Sequence, residues 1–197
     1  MEDANKNITQ DKLKNIELTI EEKERLADEL YKKAKDKEHQ SKSWDDEDAP
    51  IKLLNRAIDL FPKARFYYSK AWLLLREFEI DQIRGDIVED PFWEGNDVDL
   101  DIMFKEAMDS IDNAIKLKPE TALFYYIRSE ILHTNGNFTA ALLDIDKAIS
   151  INAENAVFWE SKFQIYRNLD KKHEALEAIS EAIRLEPTES SYILRKC

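Results

Sequence analysis

The sequence predicts an all-α protein in which antiparallel helix pairs are stacked in an array. The main observation is a repeat between Ala122 and Pro187, with a period of about 34 residues. A fixed period of this size indicates helical hairpins stacked on one another. Composition agrees, since 3 Gly and 5 Pro among 197 residues, with 43% hydrophobic residues, favour helices over a sandwich or barrel. The positions that match across the period are Tyr125 and Trp159, Leu132 and Tyr166, Ala141 and Ala175, Ile145 and Ile179, and Ala148 and Ala182.

The second half of each period has the pattern of an amphipathic helix. One predicted face carries Ala141, Leu142, Ile145, Ala148 and Ile149, and the opposite, polar face carries Asp144, Asp146 and Lys147. Alanines allow two helices to approach closely, because larger side chains would overpack the contact. Asn135-Gly136-Asn137 is predicted to be the turn between the two helices of its period, with the glycine in the left-handed conformation.

The two periods resemble the tetratricopeptide repeat, a family with an aromatic residue, a Leu-Gly pair, a Tyr, an Ala and a closing Pro at fixed positions. Two departures stand in this sequence: Arg128-Ser129 and Lys162-Phe163 replace the Leu-Gly pair. The resemblance implies a right-handed superhelical array of antiparallel helix pairs, with about four repeats and long insertions in repeats one and two. The residues of the second period that fit the pattern are Trp159, Tyr166, Ala175, Ile179, Ala182 and Pro187.

Repeat one is predicted over residues 19–62, after a polar tail or short helix over residues 1–18. Thr19 and Glu22 have capping-box spacing, and an apolar stripe continues the first helix to about Glu38. The polar stretch 39–48 around Trp44 is predicted to be a long loop. The second helix covers Ala49 to Phe61 and is followed by Pro62.

Repeat two is predicted over residues 63–119 and carries an insertion. Its first helix starts near Arg65 and continues towards Ile83, and its second helix covers residues 102–117. Pro62 and Pro119 are separated by more than one period, and the excess is about 23 residues, placed at about 79–101. Repeat three covers residues 120–153 and repeat four residues 154–187.

The last ten residues, 188–197, are predicted to form a short C-terminal helix or partial cap. A repeat array buries its apolar side only against neighbouring repeats and needs a polar cap at its end. A helix this short caps poorly, so self-association through the C-terminal end is an expectation.

The insertion holds most of the excess negative charge. Residues 79–112 contain 12 acidic and 2 basic residues, a balance of -10, while the whole chain has a net charge of -12. Phe92 and Trp93 lie among the acids, and two interpretations stay open: the rings anchor the loop to the array, or they form an interaction hot spot. The residues of this acidic loop are Asp86, Glu89, Asp90, Phe92, Trp93, Glu94, Asp97, Asp99 and Asp101.

Nothing in the sequence predicts catalysis, a metal or a cofactor. His39, His133 and His173 lie in unrelated places, and no metalloprotease, Cys-His, serine-hydrolase or phosphate-loop motif occurs. Asp97, Asp99 and Asp101 alternate as in a calcium loop, but the required glycine and closing glutamate are absent. We therefore predict that the protein is not an enzyme.

Charge and apolar pattern also limit the partners. Direct nucleic-acid binding is disfavoured, because the chain is acidic and has no basic block. Neither a leader nor a membrane span is indicated, and the one cysteine, Cys197, is compatible with a reducing compartment. The expected location is cytoplasmic.

The resemblance to tetratricopeptide repeats implies that the first helices line a concave groove that holds a partner peptide or protein. We expect a non-enzymatic binding module that uses this groove and possibly the acidic insertion. A clamp for chaperone carboxylates is not supported, since Leu73, Glu130 and Gln164 occupy positions where its asparagines would stand. The alternatives are an immunity- or inhibitor-type protein that neutralises a basic enzyme or toxin through the acidic insertion, and a secretion-type chaperone. By register the groove positions are Phe66, Ser69, Lys70, Leu73, Arg76, Leu123, Tyr126, Ile127, Glu130, His133, Val157, Glu160, Ser161, Gln164 and Arg167.

Overall fold

The fold was obtained as a computed structural model that describes residues 18–38, 48–87 and 100–187, without the side chains of residues 78–87. Every regular element in these ranges is an α-helix, so the all-α prediction is confirmed. The predicted tail, most of the loop around Trp44 and the predicted C-terminal helix at 188–197 lie outside the described residues. The helices are α1 (Ile20–Lys37), α2 (Pro50–Leu60), α3 (Ala64–Ile87), α4 (Leu100–Leu117), α5 (Ala122–Thr134), α6 (Phe138–Ile151), α7 (Ala156–Asn168) and α8 (Lys172–Leu185).

The chain divides into two compact units, residues 1–62 and residues 63–197. The described residues of the first unit form one helical hairpin, in which α1 packs against α2. The expected capping box starts α1: the Glu22 backbone N–H donates to Thr19 Oγ1 at 3.2 Å, and the Thr19 N–H donates to Glu22 Oε2 at 2.9 Å. The bond from the Thr19 backbone lowers the pKa of Glu22. Pro50 begins α2, where its missing N–H costs no helical hydrogen bond.

The part of the second unit that the structure describes contains three helix pairs in sequence order. The pairs are α3 with α4, α5 with α6, and α7 with α8. The second helix of each pair also packs on the first helix of the next, and α5 contacts both α3 and α7. The predicted hairpins of repeats two, three and four are therefore present, and the three first helices are neighbours in the order α3, α5, α7.

The ends of the acidic insertion differ from the prediction. Helix α3 continues to Ile87 rather than ending near Ile83, and α4 begins at Leu100. Asp86 and Asp101, both predicted in the acidic loop, are therefore helical residues, and only residues 88–99 separate the two helices. At 24 residues α3 is 11 longer than α5 or α7, which corresponds to about 16 Å of additional helix.

The two helices of repeat three approach closely at small residues. Ala141, Ile145 and Ala148 of α6 are fully buried. Ser129 of α5 is fully buried as well, and its hydroxyl donates to the Ala141 carbonyl at 2.8 Å. The predicted alanine contact is confirmed, and the serine in the place of the family's glycine is satisfied by the backbone it touches.

The turn between α5 and α6 has the left-handed glycine that the sequence predicts. Gly136 has a φ of 77°, and the N–H of Asn137 reaches back to the Leu132 carbonyl at 2.8 Å. One period later Asp170 occupies the same position with a φ of 55°, and the N–H of Lys171 reaches the Tyr166 carbonyl at 2.9 Å. The turn geometry is thus repeated although the glycine is not.

Replacing Gly136 by Ala should lower the free energy of unfolding by about 1 kcal/mol, because a side chain disfavours the left-handed backbone. An added Cβ would meet no atom within 4 Å, so the cost comes from the backbone alone. Urea denaturation measures the change. Asn135→Ala, at an exposed neighbour with a φ of -80°, is the control and should stay within about 0.5 kcal/mol. Equal effects of the two substitutions would contradict the backbone explanation.

A candidate partner-binding groove on the first helices

The first helices are held side by side by aromatic contacts. The rings of Tyr68 on α3 and Phe124 on α5 have centroids 5.6 Å apart. The rings of Tyr126 on α5 and Phe158 on α7 have centroids 5.3 Å apart. Aromatic pairs at such distances contribute roughly 0.5–1.5 kcal/mol beyond the area they bury. The same kind of contact therefore joins each first helix to the next.

The groove positions divide into buried and accessible ones. Phe66, Ser69, Leu73, Ile127 and Ser161 are buried, so they pack the array and do not face a ligand directly. Leu123 and Val157 have relative exposures of 40% and 42%, and Arg167 is also exposed. The partly exposed positions are Lys70, Arg76, Tyr126, Glu130, His133, Glu160 and Gln164.

Polar contacts between α5 and α7 run along the same face. The Ser161 hydroxyl donates to Glu130 Oε1. The Asn168 side-chain nitrogen lies 2.6 Å from His133 Nε2. Because each contact joins residues on neighbouring first helices, the groove is braced across its two C-terminal repeats.

Two charged groove positions are already engaged within the array. Lys70 Nζ on α3 lies 2.6 Å from Glu106 Oε1 on α4, and only 12% of the lysine side chain is exposed. His133 is half-buried, and its ring centroid lies 5.5 Å from that of Phe138. Burial lowers the pKa of His133, so the neutral imidazole is favoured and can accept a hydrogen bond from Asn168.

The sequence prediction for Asp144 is wrong. Helical periodicity places Asp144 on the polar face of its helix, yet it is 7% exposed. Arg128 explains this: its Nε lies 2.7 Å from Asp144 Oδ2, and one terminal nitrogen lies 2.7 Å from Oδ1. The other terminal nitrogen lies 2.7 Å from Oδ1 of Asp112 on α4. A carboxylate can be buried when a guanidinium pairs with it in this forked geometry.

The Arg128 network ties repeat three to repeat two. Asp144 is on α6 of the same repeat, whereas Asp112 is on α4 of the preceding one. Hydrogen bonding to Asp144, and then to Asp112, raises the pKa of Arg128 against the opposing effect of burial. The two carboxylates therefore stabilise the charged form of the guanidinium.

A related contact recurs one period later. Lys162, one period after Arg128, places its Nζ 2.7 Å from Oδ1 of Asp146, one period after Asp112. The ammonium also lies 5.4 Å from the ring centroid of Trp159 and 5.6 Å from that of Tyr166. The position where the family has leucine thus carries a cation in both repeats. Each cation pairs with an aspartate 16 residues earlier in the sequence. That shared spacing is the sequence signal that identifies these inter-repeat ion pairs.

The remaining acidic-loop residues, Glu89, Asp90, Phe92, Trp93, Glu94, Asp97 and Asp99, lie outside the described residues. Asp101 is exposed near the start of α4. Within the described ranges, His, Cys, Asp and Glu side chains do not gather in groups of three that could hold a metal ion. None of the helices there has the length and apolar character needed to cross a bilayer.

The family profile described as tetratricopeptide repeat matches this chain at residues 122–155 and 164–189. These matches cover repeat three and most of repeat four, where the helix pairs and the recurring turn have been described. Residues 122–155 and 164–189 therefore match tetratricopeptide repeats. The first match begins at Ala122, the first residue of α5, so the profile and the structure give the same start for repeat three.

Two solved structures are similar in fold to most of this chain. A structure of MamA from residue 41 to its end, from Desulfovibrio magneticus RS-1, has a TM-score of 0.63 at 14% sequence identity, covering 86% of this chain and 80% of MamA. PilF from Pseudomonas aeruginosa also has a TM-score of 0.63 at 14% identity, covering 88% of this chain and 67% of PilF. At such identity the likeness establishes the fold alone. No curated protein is significantly similar to the chain in sequence.

Arg128→Ala should lower the free energy of unfolding by about 2–3 kcal/mol, because it leaves Asp144 buried without its cation. The side chains of Arg128 and Asp112 are 25% and 40% exposed, so the loss of stability should be smaller than for a fully buried ion pair. Arg184→Ala is the control, because the side chains of Arg184 and its ion-pair partner Glu181 are 65% and 41% exposed. This substitution should lower the free energy of unfolding by about 0–1 kcal/mol.

Thermal or urea unfolding, followed by circular dichroism, compares the stability of Arg128→Ala with that of Arg184→Ala. The double variant Arg128→Ala/Asp144→Ala should be more stable than Arg128→Ala alone, since the unpaired carboxylate is gone. A double variant that is less stable than the single one would contradict the network.

The lowered pKa of His133 predicts a pH dependence with a definite sign. At pH values above the ordinary histidine pKa of 6.5, the imidazole is neutral in both the folded and the unfolded chain. The contribution of His133 to the free energy of unfolding is then fully present. As the pH falls below that value the unfolded chain binds a proton that the folded chain does not, so the free energy of unfolding decreases. The decrease ends once the pH passes the folded pKa.

Urea denaturation at about pH 7.5 and about pH 5.5 measures this contribution. His133→Gln should show a smaller loss between the two pH values than the unmodified protein. His173→Gln, at a histidine whose side chain is 84% exposed, is the control and should keep the original loss. The same loss in both variants would exclude His133 as its source.

Proposed function

We propose that this protein is a non-enzymatic binding module that holds a segment of a partner protein in the groove of α3, α5 and α7. The observation that carries the proposal is the accessible face shared by these helices. Leu123, Tyr126 and Arg167 lie on it, exposed or partly exposed, in consecutive repeats. Large apolar rings and arginine are the side chains that dominate protein interfaces. Tetratricopeptide repeats are protein-interaction modules, which supports the same class of function.

The braced geometry also supports this proposal. Binding is strongest when the receptor is already ordered, since ordering side chains on association costs free energy. Contacts between Tyr126 and Phe158, and between His133 and Asn168, already fix the positions of α5 and α7. A partner would therefore meet a preformed surface.

The charge distribution favours a second candidate function. With 9 acidic residues and 1 basic residue over residues 79–101, a balance of -8, the insertion would attract a basic enzyme or toxin, and the protein would then be an inhibitor. Binding of a partner through the insertion would weaken strongly as the salt concentration rises, because salt screens exposed charges, with a screening length of about 8 Å at physiological ionic strength.

Affinity capture from the native host, followed by mass spectrometry, provides the partner for a quantitative test by calorimetry. Tyr126→Ala should weaken its binding by at least about tenfold, since truncating a central aromatic anchor typically costs about 2 kcal/mol or more. Arg167→Ala should weaken binding in the same direction. Leu143→Ser and Arg184→Ala, at exposed positions on second helices, are the matched controls.

The insertion is tested separately by changing every acid within residues 88–99 to its amide, which leaves α3 and α4 intact. Groove binding should persist in this variant. If the amide variant loses the partner while Tyr126→Ala retains it, the groove proposal is wrong and the inhibitor function replaces it.

A further inference from the structure

The turn between α5 and α6 contains the only Asn-Gly pair in the sequence, Asn135-Gly136. Both residues are exposed, so water reaches the Asn135 side chain. Such a pair has a chemistry of its own, because the backbone nitrogen of the second residue is a nucleophile close in the chain to the side-chain amide carbon of the first. Glycine has no side chain to hinder the approach of its nitrogen. Asn135 is therefore the asparagine of this sequence whose amide is least hindered towards attack.

The reaction is a deamidation, and its atoms balance with water as the single co-reactant. The Gly136 nitrogen loses its proton to a solvent base and forms a bond to Cγ of Asn135. The bond from Cγ to Nδ2 breaks, and Nδ2 takes up a proton and leaves as ammonia, so a cyclic imide remains. Water then adds to one of the two imide carbonyl carbons and breaks its bond to the ring nitrogen. Opening at Cγ gives aspartate, and opening at the backbone carbonyl carbon gives isoaspartate.

The folded turn holds the nucleophile away from its target. Asn135 has a ψ of 7°, which places the Gly136 nitrogen nearly eclipsed with the Asn135 backbone nitrogen and turned away from Cβ. The imide ring requires the Gly136 nitrogen on the same side as Cβ. The Gly136 N–H also donates to the His133 carbonyl at 2.9 Å, so the attacking nitrogen is already engaged. Rotation about ψ of Asn135 must therefore precede the chemistry.

This rotation opens the turn without opening the core. It breaks the hydrogen bond between Gly136 and His133, and the 2.8 Å bond from the Asn137 N–H to the Leu132 carbonyl. Side-chain packing does not resist it at Gly136, because an added Cβ there would meet no atom of the described residues within 4 Å, its chain neighbours aside. Exposed segments held by few contacts open at a lower free energy than the whole domain unfolds. The rate of the reaction should therefore follow the opening of the turn.

The equivalent turn of repeat four has the same backbone geometry without this chemistry. Asp170 takes the left-handed position there with a φ of 55°, and the residue before it is Leu169. Leucine has no side-chain carbonyl carbon that the next nitrogen could attack. The turn geometry therefore does not require an Asn-Gly pair.

We propose that Asn135 is a modification site, at which spontaneous deamidation and isomerisation proceed at a rate set by opening of the α5–α6 turn. The products weaken the hairpin that contains them. Isoaspartate adds one atom to the backbone between residues 135 and 136, so the hydrogen bond from Asn137 to Leu132 cannot keep its geometry. Aspartate places a negative charge at the C-terminal end of α5, where the helix dipole disfavours it. Modification therefore makes the turn open more readily.

The test follows residue 135 of the full chain by mass spectrometry, in the folded protein and in urea above the unfolding transition. Trypsin releases a peptide from Ser129 to Lys147, and electron-transfer fragmentation distinguishes aspartate from isoaspartate within it. The folded chain should be converted at least about tenfold more slowly than the unfolded chain, since two backbone hydrogen bonds must open first. Both rates should rise from neutral to mildly alkaline pH, because the nucleophile is the deprotonated nitrogen.

Phe138→Ala loosens the turn without changing the Asn-Gly pair. The ring centroids of Phe138 and His133 lie 5.5 Å apart and join the start of α6 to the end of α5. This variant should deamidate about two- to tenfold faster than the original protein when folded, and at the same rate in urea. Leu143→Ala, at a position of α6 that is 70% exposed, is the matched control and should keep the original rates. Amide hydrogen exchange of Gly136 and Asn137, measured by NMR, should accelerate in Phe138→Ala by the same factor as deamidation.

Equal rates in the folded and unfolded chain would show that opening of the turn does not control the reaction, and the inference would be wrong. It is also wrong if residue 135 stays asparagine in the folded chain after many lifetimes of the asparagine in the unfolded chain. Acceleration of amide exchange in Phe138→Ala without faster deamidation would overturn it as well. If Phe138→Ala does not fold, urea below the unfolding transition opens the turn instead, and deamidation should accelerate together with the amide exchange of Gly136.

Discussion

The close approach of the two helices within each repeat is the contact on which the rest of the structure depends. Ala141 and Ala148 leave room for the neighbouring helix, and the Ser129 hydroxyl binds the Ala141 carbonyl directly. At this separation Arg128 on one helix reaches Asp144 on the other, at 2.7 Å. The same spacing sets where each first helix lies, and hence where the groove side chains point.

Electrostatics replaces hydrophobic packing at one position of this array. The family places leucine where Arg128 and Lys162 stand, and an apolar side chain there would contribute packing without a partner requirement. The two cations contact Asp112 and Asp146, which belong to the preceding repeats. Such contacts depend on register, because a carboxylate displaced by one residue would lie on another face of its helix. They specify how consecutive repeats align, in addition to stabilising each one.

The period and the alanine stripe are sufficient to predict the helix pairs, since both express the geometry of stacked hairpins directly. Helical periodicity alone misplaces Asp144, because a carboxylate on the inner edge of a helix looks solvent-exposed until its partner Arg128 is known. The end of α3 at Ile87 could not be predicted for a related reason: an acidic segment without apolar periodicity gives no packing signal. Register places the groove positions on the first helices, but burial of Phe66 and Ser69 depends on neighbouring elements that a single helix does not reveal.

The inter-repeat ion pairs have a consequence for how the second unit comes apart. Each pair joins one repeat only to its predecessor, so the array behaves as a chain of linked segments with nearest-neighbour coupling. Arg128 holds two carboxylates, one of them in its own repeat, whereas Lys162 holds one. Unfolding of the C-terminal hairpin would therefore break the Lys162–Asp146 pair and leave the Arg128–Asp112 pair in place.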